Sequence, residues 1–299
     1  MRIVVTGASG LIGRDLRTLL AAEGHETFTM VRRRTSRADE IQWDPATSSI
    51  DAKQLVGVDA VVHLAGASVA GGRWTQARKK EIIDSRVSGT RLLCETIAGM
   101  TRRPRVLVAA SAIGFYGNRG QETLTEDSPS GAGFLANVTR AWEAATLPAR
   151  DAGIRVVNLR IGIVLSSKGG ALARMVLPFR LGLGGVLGNG RQMMSWISLE
   201  DVVRAIDHAI ATDTLAGPVN AVAPNAVDNH TFTKTLGRVL GRPTMLPVPA
   251  TLIKLVFGEM GEELLLSSAS VRPTRLQTSS FSFIHPDLES ALRAALAGA

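Results

Sequence analysis

Cysteine occurs once in the 299 residues, as Cys94. That excludes a disulfide framework or a cysteine metal cluster within one chain, and in a helical pattern the thiol reads as a small buried hydrophobe. The five histidines, His25, His63, His208, His230 and His285, are dispersed without paired ligand spacing, so metal catalysis finds no support. His63 reads as a packed strand residue, and Glu262-Glu263 as the exposed start of a helix. There is no Gly-x-Ser-x-Gly nucleophile elbow. No stretch approaches the roughly 20 uncharged apolar residues that span a bilayer. Met1 opens the first strand pattern directly, leaving no room for a charged leader and an apolar signal core, so the expected compartment is the cytoplasm. Aromatic residues make up only 4% of the chain and do not interleave with basic ones, unlike a single-strand nucleic-acid binder.

What is present begins at the amino end. The apolar, β-branched run Arg2-Ile3-Val4-Val5-Thr6 turns through Gly7-Ala8-Ser9-Gly10-Leu11-Ile12-Gly13 into a helical pattern carrying Leu16, Leu19 and Leu20. Gly24-His25 then leads to a second strand near Glu26 to Val31. This order is strand, phosphate loop, helix. Gly7 takes the tight turn, Gly10 lets the backbone approach a pyrophosphate, and Gly13 lets the helix pack closely on the strand. The amides and dipole of the helix N-terminus would face the anion. Gly7, Ser9, Gly10, Leu11, Ile12 and Gly13 are therefore expected to contact a dinucleotide.

Where such folds place an acidic residue for the adenosine ribose, this chain has Arg32, Arg33 and Arg34. A guanidinium pairs with a ribose 2′-phosphate where a carboxylate would repel it, so NADP is favoured over NAD. The alternative is three arginines on a solvated loop. A second small-residue turn, Leu64-Ala65-Gly66, is expected to let adenosine and ribose lie close to the backbone. The net charge of +8 lies in separate clusters, Arg32 to Arg34, Arg78 to Lys80 and Arg102 to Arg105. A solvated face and an anionic cofactor account for it, with no specific nucleic-acid or membrane partner.

Strand-like runs at Arg2 to Thr6, Thr27 to Val31, Asp59 to Leu64, Arg105 to Ala110 and Ile154 to Arg160 alternate with helical patterns near 11–22, 75–98 and 134–151. Alternation on this scale predicts right-handed crossovers and a parallel sheet. From Ser166 glycine becomes dense; a helix signal at Leu199 to Ile210 and a short strand at Pro218 to Val222 then restore the first pattern. An amphipathic stretch at Asp287 to Leu296 closes the chain. The expected fold class is α/β, a Rossmann-type doubly wound parallel sheet with a smaller carboxyl-terminal substrate lobe. The sheet domain would comprise 1–165 with 198–222, and the lobe 166–197 with 223–299.

These features resemble the extended short-chain dehydrogenase/reductase superfamily over nearly the full chain. Gly71-Gly72-Arg73-Trp74-Thr75, Ser85-Arg86, Gly89-Thr90, Ser111-Ala112-Ile113-Gly114-Phe115-Tyr116-Gly117, Trp142-Glu143, Arg160-Ile161-Gly162 and Gly188-Asn189-Gly190-Arg191-Gln192 resemble the epimerase family protein branch, some members of which carry a cell-division-inhibitor label. The resemblance implies an NADP-dependent oxidoreductase or epimerase-like enzyme acting on a small carbonyl or hydroxyl substrate, as a monomer or homodimer. The superfamily's Tyr, with a Lys four residues later, is absent: counting back from Glu143 puts Leu135 and Thr139 in those places, and neither transfers a proton. Tyr116, the only tyrosine, falls in a structural turn. The usual assisting hydroxyl falls at Ala112, with Ser111 beside it as a substitute or as a serine bonded to a nearby amide. Arg86 replaces an Asn and is expected either to reach a cofactor phosphate or to pair with a surface carboxylate. Met194 replaces the Arg that clamps a sugar-nucleotide diphosphate, and Met193, Met194 and Trp196 either line an apolar pocket or are packing. The catalytic residues stay unassigned. A second reading is a catalytically silent, NADP-binding sensor or scaffold.

Overall fold

A computed structural model describes residues 1–297. The chain opens with β1 (Arg2–Thr6), α1 (Leu11–Ala22) and β2 (Glu26–Val31). Residues 32–39 then cross as a loop to β3 (Glu40–Asp44), which turns back through β4 (Ser49–Ile50). β5 (Ala60–His63), α2 (Gln76–Ala98), β6 (Val106–Ala112), β7 (Thr123–Leu124), α3 (Phe134–Ala144), α4 (Leu147–Asp151) and β8 (Arg155–Ile161) follow. Next come β9 (Ile163–Leu165), α5 (Gly170–Arg180), β10 (Met193–Met194), β11 (Trp196–Ser198), α6 (Leu199–Ala211) and β12 (Gly217–Ala221). The chain closes with β13 (Val227–Asp228), α7 (Asn229–Leu240), α8 (Ala250–Phe257), α9 (Glu259–Gly261), β14 (Ser270–Val271), α10 (Thr274–Thr278) and α11 (Leu288–Leu296).

Eight strands form one sheet in the order β4-β3-β2-β1-β5-β6-β8-β12. Every neighbouring pair is parallel except β3 with β4. The chain grows outward from β1 in one direction through β2 and in the other through β5, so the sheet is doubly wound and its switch point lies between β1 and β5. Strand alternation explains why the central strands are apolar throughout. Ile3 and Val5 join Val62, Val108 and Leu159 against Leu16 and Leu20 of α1 and Val202 and Ile206 of α6. Val4, Val61 and Leu107 point the other way, onto Leu93 and Ile97 of α2 and Ala149 of α4. A separate cluster around Trp196 joins Leu172 and Val176 of α5, Phe232 and Leu236 of α7, and Leu292 of α11.

Two local features differ from the sequence expectation. The helix expected over 134–151 is two helices, broken at Ala145–Thr146, with Pro148 in the first turn of α4 where its missing N–H breaks no helical bond. β3 carried too short an apolar signal to stand out: only Ile41 and Trp43 alternate inward, between polar residues. No helix among the described residues is long and apolar enough to cross a membrane.

Candidate functional site

The carboxyl ends of β1 and β5 meet at the glycine loop. Gly7 has φ +65°, and a Cβ there would lie 2.7 Å from the Leu64 carbonyl carbon and 2.9 Å from the Ala65 nitrogen. No other residue fits that turn without pushing the two strand ends apart. A Cβ on Gly13 would lie 2.4 Å from the Gly7 oxygen, so this glycine lets α1 seat against the loop. Gly10 differs, because a Cβ there would meet only the Gly7 oxygen, at 3.1 Å, and otherwise open space. Ser9 and Gly10 are exposed, and Leu11 and Ile12 half-buried. No side chain caps α1, and its first turn holds no acidic residue. The dipole end is left unneutralised by that turn, an arrangement that can accept an anion.

A buried polar chain braces this edge. Thr6 Oγ1 accepts the N–H groups of Leu64 and Ala65, each at 3.1 Å, which leaves its own proton to donate to His63 Nδ1 at 2.8 Å. His63 Nε2 then carries the ring proton and donates to Thr90 Oγ1 at 2.9 Å, which also accepts from Trp142 Nε1 at 2.9 Å. Burial pushes the imidazole pKa down to about 4, so the ring is neutral and structural. This agrees with its reading as a packed strand residue.

Basic side chains flank the loop. Arg32 is exposed just past β2 and makes no ion pair among the described residues. Arg33 donates through Nη2 to Glu40 Oε1 at 2.6 Å, while Thr35 Oγ1 donates to Glu40 Oε2 at 2.5 Å. The Thr35 hydrogen bond, then Arg33, hold the Glu40 carboxyl below its usual range. Arg33 is thus shared with an acid that sequence reading did not connect to it.

Arg86, on α2, donates from Nη1 to the carbonyls of Ala67 (2.9 Å) and Ile82 (3.3 Å), and its Cζ lies 5.0 Å from the Trp142 ring centroid. A Cβ on Gly66 would sit 3.4 Å from that carbon. No carboxylate pairs with Arg86 among the described residues, which removes the surface-pair alternative. Burial, then the nearby Arg78, lower its pKa to about 10. A largely desolvated cation thus stands beside the exposed Gly66 turn.

At the end of β6, Ser111 Oγ donates to Glu143 Oε1 at 2.6 Å rather than bonding a backbone amide. Arg160 binds both Glu143 oxygens, through Nε at 2.8 Å and Nη2 at 2.9 Å, and donates from Nη1 to the Tyr116 hydroxyl at 3.0 Å. Tyr116 donates in turn to Asn220 Oδ1 at 2.7 Å; its side chain is fully buried, and burial raises its pKa. The chain's only phenol is locked into a structural network, as its place in a turn implied.

Leu135 and Thr139 lie on α3 facing Gly114, and Thr139 Oγ1 donates to the Leu135 carbonyl at 2.7 Å. Glu263 is the residue that sequence reading placed differently. It lies in a π-helical turn, Glu262–Leu266, and its carboxylate accepts the N–H groups of Phe134 (2.6 Å) and Leu135 (2.8 Å). A carboxyl-terminal carboxylate therefore sits on the first turn of the helix that bears Leu135, while Glu262 is exposed as expected. Met194 pairs in β10 with Val227 of β13, and its sulfur accepts from Asn229 Nδ2 at 3.4 Å.

Comparison with known proteins places this geometry. Residues 3–221 match the NAD dependent epimerase/dehydratase family, and residues 248–295 match a domain of unknown function (DUF1731). Epimerase family protein Mb2239 of Mycobacterium bovis is 42% identical over 290 residues, covering 97% of this chain and 96% of that protein. Epimerase family protein YfhF of Bacillus subtilis is 37% identical over 297 residues, covering 98% and 97%. The crystal structure of human epimerase family protein SDR39U1 (isoform 2) with NADPH matches with a TM-score of 0.92 at 34% identity, covering 100% of both chains. The chain belongs to the NAD dependent epimerase/dehydratase family.

Proposed function

We propose that the chain is an NADP-dependent oxidoreductase or epimerase-like enzyme acting on a small carbonyl or hydroxyl substrate. The observation that carries this reading is the uncapped, glycine-framed N-terminus of α1 at the β1/β5 switch point. The NADPH bound by the human relative supports the choice of cofactor. The open side of Gly10 is a cradle that a side chain would fill, so the loop fits a diphosphate. Gly7, Ser9, Gly10, Leu11, Ile12 and Gly13 would hold that diphosphate. Arg32, with Arg33 shared between Glu40 and the ligand, would bind the ribose 2′-phosphate. Leu64, Ala65 and Gly66 would admit the sugar to close backbone contact, Arg86 would answer the negative charge, and Ser111 would border the nicotinamide end. When bound, the nicotinamide supplies hydride exchange with a substrate carbon.

The substrate would lie between the carboxyl edge of the sheet and a lobe built from 166–197 with 223–299. Met194 offers no charge to a diphosphate, which argues against a nucleotide-sugar substrate. Leu135 and Thr139 favour a second reading, a cofactor-binding sensor or scaffold without turnover. The two separate on one experiment: the protein is mixed with NADPH and a broad carbonyl panel, and cofactor oxidation is followed. Consumption above the protein-free rate supports the enzyme. Tight NADPH binding with no consumption across the panel supports the sensor.

A further inference from the structure

Thirteen large hydrophobic side chains are exposed among the described residues, and nine of them fall within 177–183 and 245–257. The two segments lie side by side. Val248 N–H donates to the Val186 carbonyl at 2.8 Å, Gly188 N–H donates to the Val248 carbonyl at 2.9 Å, and a Cβ on Gly185 would collide with the Leu246 oxygen. The next element is α8, of which only Ile253 is buried. Scattered exposed hydrophobics need no explanation, but a concentration of this kind marks an interaction surface.

Charge and shape identify the occupant. Residues 170–190 hold Arg174 and Arg180, residues 238–258 hold Arg238, Arg242 and Lys254, and neither stretch contains Asp or Glu. Arg238 pairs with Glu289 and Lys254 with Glu262, both acids lying outside the two stretches. A two-fold pairing of this face with a second copy would set these two stretches, which hold five cations and no acid of their own, against themselves. The apolar side chains also protrude: Met245 is 82% exposed, Leu255 73%, Leu181 65% and Leu177 64%. A helical peptide partner needs a groove to receive its apolar face, whereas protruding side chains among cations suit insertion at a lipid interface. We infer that this face docks the protein peripherally on an anionic lipid bilayer. The apolar tips enter the headgroup boundary, and the arginines and Lys254 meet the acidic headgroups.

The test is co-sedimentation of the full chain with vesicles of phosphatidylcholine mixed with phosphatidylglycerol, against vesicles of phosphatidylcholine alone. The protein should partition about tenfold or more in favour of the anionic vesicles, and high salt should reduce that partition. Met245→Glu combined with Leu255→Glu should weaken it by about tenfold or more, with the thermal midpoint and NADPH affinity unchanged. Arg174→Glu with Arg242→Glu is the companion variant that removes charge without touching the apolar tips, and it should lower the partition likewise. Absence of partition, equal partition into neutral vesicles, or full binding by both variants overturns the inference. So does a dimer by analytical ultracentrifugation that the Met245→Glu, Leu255→Glu protein abolishes, because a second copy would then be the occupant.

Discussion

Arg86 is a cation that folding has moved mostly out of water without a carboxylate partner among the described residues, an arrangement that carries a desolvation cost and lowers its pKa to about 10. A bound anion would relieve that cost. Arg86→Met, which keeps the stem and removes the charge, should therefore weaken NADPH binding by about 1.5–3 kcal/mol, the scale of a charge-assisted hydrogen bond, and leave the urea midpoint unchanged or higher. His63 makes the opposite case, a titratable group kept neutral. Its pKa falls to about 4 in the folded chain against about 6.5 unfolded, so the unfolded state binds the extra proton and stability falls as pH drops through that window. The loss should approach about 3 kcal/mol between pH 6.5 and 4 in urea titrations. His63→Asn should flatten that part of the profile. His208, whose pKa burial also lowers, contributes in the same direction. The depressed carboxyls of Asp39 and Glu40 lose their contribution only as pH falls through their own lower values.

Elements whose cause is local were legible in the sequence, and elements joined across the chain were not. Gly7, Gly10 and Gly13 could be assigned separate tasks because a strand, a turn and a helix within thirteen residues already constrain them, and each has its own geometry in the fold. The capping of α3 by Glu263 spans 129 positions from Phe134, and no sequence spacing could announce it. The same holds for Glu40, whose hold on Arg33 depends on a strand that itself escaped sequence reading. Glu263 takes the place of the absent side-chain cap on α3, satisfying two amides that no intrahelical carbonyl can reach. Glu263→Ala should cost about 1–2 kcal/mol of stability, the scale of a lost N-cap with its favourable dipole interaction. Hydrogen exchange should quicken at the Phe134 and Leu135 amides and change little in β1 or β6. Uniform quickening throughout the chain would contradict that assignment.

For the whole molecule, sheet order matters more than any single contact. Because β1 lies at the point where winding reverses, the glycine loop, the Gly66 turn and Arg86 gather at one edge although they are separated in sequence. The cluster around Trp196 packs α5, α7 and α11 together apart from the two apolar layers that cover the sheet. The central claim is that this edge binds a nicotinamide dinucleotide and prefers the form with a ribose 2′-phosphate. Titration of the purified protein with NADPH and with NADH, followed by nicotinamide fluorescence, tests it directly. The account predicts saturable NADPH binding that is about tenfold or more tighter than NADH, with the preference lost in Arg32→Glu combined with Arg33→Glu. Equal affinity for both cofactors, NADH preference, or binding of neither would contradict it.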